Sequence, residues 1–463
     1  MPQNKRMLVI GLDCAAPDLV FSKFRNQLPN LSRLMERGSW GRLESCHPPI
    51  TIPAWMVMCT STTPGELGIY GFRHRKGFSY KEGYIANSLS VKRDKIWDIL
   101  GKHGKRVCIV SIPPGYPPMP VNGDLISCFI TPDADREYTY PPSLKQEVEK
   151  LVGPYPFDVE FRIEDRDGLL KNLNDMTEKH FQVIEHLLKT RSWDFFMFNE
   201  IGVDRLHHAF WKFFDKDHPK YVAGNSYENV GLDYYKRIDE HIGRLLSLIP
   251  PDTVVLVVSD HGAKGMRGAF CFNEWLIKQG YLVLKSRPET VTELEKVEID
   301  WERTKAWAWG GYYARVFFNV KGREAQGIIE QKDLDRERDT LAKKIEEIRD
   351  PTGRRMDTRA WRPRDLYPAS VGDTPDLMVY LDDLYWRSAG TIGHDTLYLS
   401  ENDTGPDDAV HSQHGIFILY DPNSRATGQI PDVKILDVAP TLLKIMGFEP
   451  PNTMRGRALE FVS

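Results

Sequence analysis

Carboxylates and imidazoles recur in this chain where short apolar runs stop. Val254-Val255-Leu256-Val257-Val258 leads into Ser259-Asp260-His261-Gly262, and Met7 to Gly11 leads into Asp13. The run Asp194 to Asn199 is followed by Asp204, His207 and His208, and His411 and His414 adjoin the apolar stretch Gly415 to Tyr420. Four groups of this kind are expected at the carboxyl ends of core strands, where open α/β sheets form their binding crevice. Asp and His without Cys suits zinc, manganese or iron held for catalysis rather than a structural thiolate site. Six such ligands can hold two ions, three apiece with open positions left, the arrangement of two-metal phosphoryl-transfer sites. Gly262 is expected to let the backbone turn behind the central pair.

Thr51, in His47-Pro48-Pro49-Ile50-Thr51-Ile52-Pro53-Ala54-Trp55, is the candidate nucleophile. It stands where a loop enters a helix, and free N–H groups at a helix start favour phosphate. A threonine hydroxyl needs a base or a metal to become a competent nucleophile. The bland reading is a helix N-cap ahead of Pro53, and the two readings are compatible.

The elements that must position these groups follow from the hydrophobic pattern. Short apolar runs at Met7 to Gly11, Val107 to Ser111, Asp194 to Asn199 and the valine-rich Val254 to Val258 read as buried strands. Helical patterns over about Asn30 to Arg37, Leu173 to Lys189, Tyr227 to Leu248 and Asp437 to Met446 alternate with them. This alternation predicts an α/β protein with a mostly parallel central sheet covered on both faces. The core pattern is expected to return with Asp376 to Leu381 and Gly415 to Tyr420. Core segments are expected at 1–112, 171–262 and 371–463, with inserted cap regions at 113–170 and 263–370.

Composition bounds the function. The 463 residues are 41% hydrophobic and 27% charged, with a net charge of −4. Interspersed charge without a basic face argues against a stable nucleic-acid partner. No apolar run approaches the roughly 20 residues of a membrane helix, and the start of the chain shows no signal-peptide pattern. The six cysteines form no CxxC pair and read as reduced, mostly buried residues of a cytoplasmic protein.

Taken in order, these motifs resemble the alkaline phosphatase superfamily, in particular its type I phosphodiesterase/nucleotide pyrophosphatase group and the predicted phosphohydrolase/phosphomutase relatives. The resemblance rests on Val9-Ile10-Gly11-Leu12-Asp13, Pro48 to Trp55 with Pro64-Gly65 and Gly68-Ile69-Tyr70, and Asp204-Arg205-Leu206-His207-His208. It continues through Ser259 to Gly262, Asn273-Glu274-Trp275-Leu276, Asn319 to Glu324, His411 with Gly415-Ile416-Phe417, and Asp437 to Thr441. It implies a three-layer alkaline-phosphatase-like core with inserted caps and two divalent ions, zinc in preference to manganese. It also implies Thr51 as phosphoryl acceptor, one metal held by Asp13, Thr51, Asp260 and His261, and the other by Asp204, His208 and His411. Local spacing leaves His207 open beside His208, since both can share a helix face with Asp204. His414 is similarly open beside His411, and the leftover histidines become candidates for orienting a ligand ring.

Where nucleotide pyrophosphatases carry an asparagine soon after the nucleophile, this chain has Ala54-Trp55. Phosphate binding then falls to the Ile52 N–H, the metals, or a basic residue such as Lys264, Arg267, Arg73 or His74. Trp55 is a candidate to stack on a nucleobase. Cys46-His47-Pro48-Pro49-Ile50 does not match the sulfatase nucleophile setting. The resemblance thus implies a metal-dependent hydrolase of small phosphodiesters, nucleotides or pyrophosphates acting through phosphothreonine. The alternatives are a phosphomutase of the cofactor-independent phosphoglycerate mutase type, or a relative that binds without turnover.

Overall fold

A computed structural model gives the structure of residues 5–460. Met1 to Asn4, the beginning of the stretch expected to carry no signal peptide, lie outside the described residues.

Five strands run parallel through the centre of a ten-stranded sheet, in the order Val254–Val258, Met7–Leu12, Phe195–Glu200, Val107–Val110 and Gly123–Ile126. Alternation along Met7–Leu12 explains why both faces are covered. Leu8, Ile10 and Leu12 enter one apolar layer with the helices Arg166–Thr190, Gly202–Phe214 and Val230–Leu248. Met7 and Val9 enter the other, with Thr51–Thr60, Ile96–Lys102 and Val438–Ile445. Each fully buried Val, Leu or Ile in these layers contributes roughly 1.5–3 kcal/mol relative to exposure. The result is the expected three-layer α/β core. No described helix is long and apolar enough to cross a membrane, and all six cysteines are buried and free.

A second body of structure covers the 263–370 region. Ala306–Trp309, Ala314–Phe318, Leu377–Tyr380 and Arg359–Trp361 form an antiparallel four-stranded sheet with its own core around Trp307, Phe317 and Leu341.

Three expectations change. Leu377–Tyr380 belongs to this small sheet rather than to the main one, and Trp386–Ala389 pairs with Gly268–Cys271. Asp376 anchors the first of these strands, accepting from Phe318 N at 2.7 Å and from Arg323 at 2.7 and 3.0 Å. A short apolar run suits any buried strand, so its pattern does not say which sheet it joins. Conversely Gly123–Ile126 and Thr139–Tyr140, inside the expected cap segment 113–170, extend the main sheet at its edge. His414–Tyr420 joins the main sheet as expected, but antiparallel to Val254–Val258.

Candidate functional site

The three aspartates approach from the carboxyl edge of the parallel strands. Asp13 follows Met7–Leu12, Asp260 follows Val254–Val258, and Asp204 lies in the first turn of Gly202–Phe214, the helix after Phe195–Glu200. His411 corrects the expectation of four carboxyl ends, because it lies in Ala409–Ser412, just before His414–Tyr420. That strand runs antiparallel, so its amino end reaches the edge where the parallel strands finish. Gly262 serves close approach rather than a turn: a Cβ there would meet His414 O at 2.1 Å.

Each aspartate has one oxygen tied and one free. Asp13 Oδ2 accepts from Trp55 Nε1 and Asn199 Nδ2, both at 2.8 Å. Asp260 Oδ1 accepts from Cys14 N at 3.3 Å, and Asp204 Oδ2 from Arg205 Nη1 at 2.6 Å. The remaining oxygens, Asp13 Oδ1, Asp260 Oδ2 and Asp204 Oδ1, are buried without a hydrogen-bond partner. Gly11 makes the first arrangement fit, since a Cβ there would lie 2.5 Å from the Trp55 ring.

The imidazoles complement this pattern. His208 Nδ1 donates to Asp407 Oδ1 at 2.7 Å, His411 Nδ1 to Pro49 O at 2.8 Å, and His261 Nδ1 to Gly262 O at 3.2 Å. With Nδ1 so engaged, each ring turns its Nε2 lone pair inward, the usual tautomer of a metal-ligating histidine. His261 Nε2 lies 3.2 Å from Asp260 Oδ2 and 3.7 Å from Asp13 Oδ1. His208 Nε2 and His411 Nε2 lie 3.4 and 3.6 Å from Asp204 Oδ1. Donors on a tetrahedral zinc at its usual bond lengths stand about 3.3 Å apart, so both groups have the right spacing for an ion. Asp13, Asp260 and His261 make one group, and Asp204, His208 and His411 the other. They adjoin through the stacked rings of His261 and His411, centroids 3.8 Å apart.

Electrostatics also asks for positive charge here. Burial, then the neighbouring Asp204, pushes Asp13 up to about 7. Burial and then Asp13 hold Asp260 well above the ordinary carboxylate range. Buried carboxylates crowded in this way are costly unless cations neutralise them. The donor set, the orphaned oxygens and the charge therefore fit two divalent ions. Cys14 Sγ also stands near His261 and His411, but burial holds it protonated and it donates to Gly262 O.

Thr51 Oγ1 lies 3.3 Å from His261 Nε2. Thr51 is the first residue of Thr51–Thr60, Ile50 is the N-cap, and no side chain caps this helix. The N-cap reading of Thr51 is thus corrected: its hydroxyl is available to the site. The first helical bond runs from Ala54 N to Ile50 O, leaving the Thr51 and Ile52 N–H groups without acceptors inside the helix. Pro53 fills the next position, which needs no donor.

The other sequence candidates fall elsewhere. His207 packs on Tyr235, whose hydroxyl is 3.2 Å from its Nε2, and burial pushes it down to about 3. His414 is partly exposed beside Asp432. Trp55 is fully buried and serves Asp13, so it offers no face to a nucleobase. Lys264 and Arg267 pair with Asp383 and Asp382, both at 2.7 Å, on a separate cavity of about 950 Å³ that no site carboxylate or imidazole lines. His74 is buried and accepts from Tyr70 N.

Two residues escaped the sequence. Tyr312 lies over the second group, its ring stacked on His411 at 3.7 Å and its hydroxyl 3.1 Å from His208 Nε2. Its only signal is its place directly after Gly310-Gly311, a glycine pair that reads as a turn in the region expected to be cap. Asp407 orients His208 and also holds Arg387 at 2.6 Å and Arg162 at 3.1 Å. A cavity of about 380 Å³ borders the site at Ile50, Arg205 and Tyr312 and is also lined by Arg73, Arg162 and Arg387. Of the basic residues weighed from sequence, Arg73 alone reaches it.

Comparison with known proteins bears on the fold and the family. The chain is similar in structure to murine ectonucleotide pyrophosphatase/phosphodiesterase 5, solved as an inactive threonine-to-alanine variant in complex with AMP. The TM-score is 0.55 at 12% identity, covering 96% of each chain, a likeness of fold. No curated protein matches the sequence. A model of the type I phosphodiesterase/nucleotide pyrophosphatase family matches residues 7–407, taking in every residue of the two groups except His411. With that match over most of its length, the chain belongs to the type I phosphodiesterase/nucleotide pyrophosphatase family of the alkaline phosphatase superfamily.

Proposed function

We propose that the protein hydrolyses phosphodiesters or nucleotide pyrophosphates by two displacements through Thr51. The observation that carries this reading is the convergence of three untied carboxylate oxygens and three Nε2 atoms beside the Thr51 hydroxyl. Asp13, Asp260 and His261, with Thr51, would hold one divalent ion, and Asp204, His208 and His411 the other, with zinc preferred and manganese also suited. Bound there, the ions supply Lewis acidity, lowering the pKa of oxygen nucleophiles and offsetting charge on the phosphoryl oxygens.

Thr51 Oγ1 bonds to phosphorus as the bond from phosphorus to the leaving alcohol or nucleotide oxygen breaks, and the hydroxyl proton ends on that departing oxygen. Water then attacks the phosphothreonine. Its oxygen bonds to phosphorus, the Thr51 ester bond breaks, and a water proton restores the hydroxyl. The Ile52 N–H, free at the helix start, is placed to donate to a phosphoryl oxygen. Arg205, bonded to Asp204 and lining the cavity, adds a second positive group toward the substrate. The threonine-to-alanine variant of the structurally similar ectonucleotide pyrophosphatase is inactive and was solved with AMP, which supports a required threonine and a nucleotide-sized substrate.

The test is hydrolysis of bis-p-nitrophenyl phosphate, p-nitrophenyl phosphate and dinucleotides by the zinc- or manganese-supplemented protein. Diester cleavage exceeding monoester cleavage, and lost in Thr51→Ala, is the expected result. Isomerisation of a phosphate ester without phosphate release would turn the reading to a mutase, and full activity in Thr51→Ala would remove the threonine from the mechanism.

A further inference from the structure

The cavity beside the site carries more positive charge than its neighbours neutralise. Arg73, Arg162, Arg205, Arg315 and Arg387 line it, with Asp158 as its one carboxylate. Asp158 is engaged by Arg205, whose Nε and Nη2 donate to it at 2.7 Å each. Arg162 and Arg387 share Asp407. Arg73 has Glu295 at 3.8 Å, and its side chain is 63% exposed.

Arg315 differs from all of these. It is only 7% exposed. Among the described residues its hydrogen bond is from Nη1 to the Arg73 carbonyl oxygen, and no carboxylate pairs with it. Its guanidinium also lies over the Trp309 ring, 5.2 Å from the centroid. Burial holds it below the ordinary arginine value, with repulsion from Arg73 and Arg75 added and attraction from Tyr313 and from Asp373, itself ion-paired to Arg75, opposing. A buried guanidinium without an ion-paired carboxylate of its own is unfavourable unless an anion completes it. The fork of N–H donors matches a phosphate in two-point contact.

The location links this unpaired charge to the chemistry. Tyr312, which touches His208 and His411, is three residues from Arg315, and both side chains line the same cavity. Gly310-Gly311, Arg73, Arg315 and Arg387 also line a second cavity of about 200 Å³, which carries Glu293, Glu295 and Asp403 on its other walls. A substrate reacting beside Thr51 can therefore extend along one wall to Arg315.

We propose that Arg315, flanked by Arg73, binds a second, non-reacting phosphate group of the substrate, so that preferred substrates are diesters or pyrophosphates bearing a further phosphate. This rests on the diesterase reading above.

Two p-nitrophenyl diesters test it, thymidine 5′-(p-nitrophenyl phosphate) with and without a 3′-phosphate. The readout is the ratio of their kcat/KM values. Wild-type protein is expected to favour the 3′-phosphorylated diester by about tenfold or more, the scale of one charge-assisted contact. Arg315→Gln is expected to bring that ratio near one, Arg315→Lys to retain part of it, and Arg73→Gln to reduce it. Calorimetric titration of the full-length protein with thymidine 3′,5′-bisphosphate and thymidine 5′-monophosphate gives the same comparison without turnover. Should Arg315→Gln fail to fold, the exposed Arg73→Gln carries the test. A wild-type ratio near one, or a ratio that neither variant changes, overturns the inference and leaves diester hydrolysis standing. Hydrolysis of neither diester with zinc or manganese removes the diesterase reading and the inference with it.

Discussion

Asp407 Oδ1 receives the Nδ1 proton of His208 at 2.7 Å, while its second oxygen holds Arg162 and Arg387. One carboxylate outside the two candidate metal groups thereby fixes the ring that faces Asp204 and anchors two arginines of the adjoining cavity. Asp407→Asn keeps the shape and removes the charge. Zinc affinity, measured by chelator competition, is expected to fall about 10–100-fold. Because the arginines lose their anchor too, KM for diesters rises as well. Unchanged affinity with unchanged KM would leave Asp407 a packing residue.

Thr51→Ala should lower kcat for bis-p-nitrophenyl phosphate by roughly a thousandfold or more, in keeping with loss of a nucleophile. Metal content by mass spectrometry should remain near two ions per chain, because Asp13, Asp260 and His261 still form their group. Thr51→Ser retains the hydroxyl and is expected to keep a measurable part of the rate. Loss of metal in parallel with activity would recast Thr51 as a ligand alone.

Chelation should abolish activity and lower the melting temperature. Metal removal exposes the mutual repulsion of Asp13, Asp204 and Asp260, all of them buried. Anything bound to the native state at 100 times its Kd stabilises it by about 2.7 kcal/mol, so a shift of several degrees is expected in a thermal melt. Added zinc or manganese should restore both properties. A chelator-resistant enzyme with an unchanged melt would rule out the two-ion reading.

Trp55→Phe separates the two roles of this residue. The indole N–H is one of two donors to Asp13 Oδ2, and the ring fills the space left by Gly11. Phenylalanine keeps most of the packing and loses the donor, a change expected to destabilise the fold by about 1–3 kcal/mol. Denaturant titration measures that, and weaker metal binding should accompany it. A variant of wild-type stability whose only defect is a raised KM for nucleotides would return Trp55 to the substrate surface.

Much of the site is legible in the sequence. Buried strands announce themselves by unbroken apolar residues, and polar residues within the next few positions have to emerge at the sheet edge. Asp13, Asp260 and His261 follow from that rule alone. Asp204 follows nearly as directly, one helical turn beyond Phe195–Glu200.

Tertiary structure decided the rest. Helical spacing allows both His207 and His208 to face Asp204, and only the packing of Tyr235 against His207 selects His208. His411 reaches the site from a strand of opposite direction, and residue pattern carries no strand direction. Trp55, Asp407, Tyr312 and Arg315 are set by segments that meet them from 42 to 245 residues away or by one turn's position in a small sheet. The types and local spacing of side chains name the available chemistry, because periodicity is a local property. Which of two equivalent side chains does the work depends on long-range contacts, and those exist only once the layers have packed.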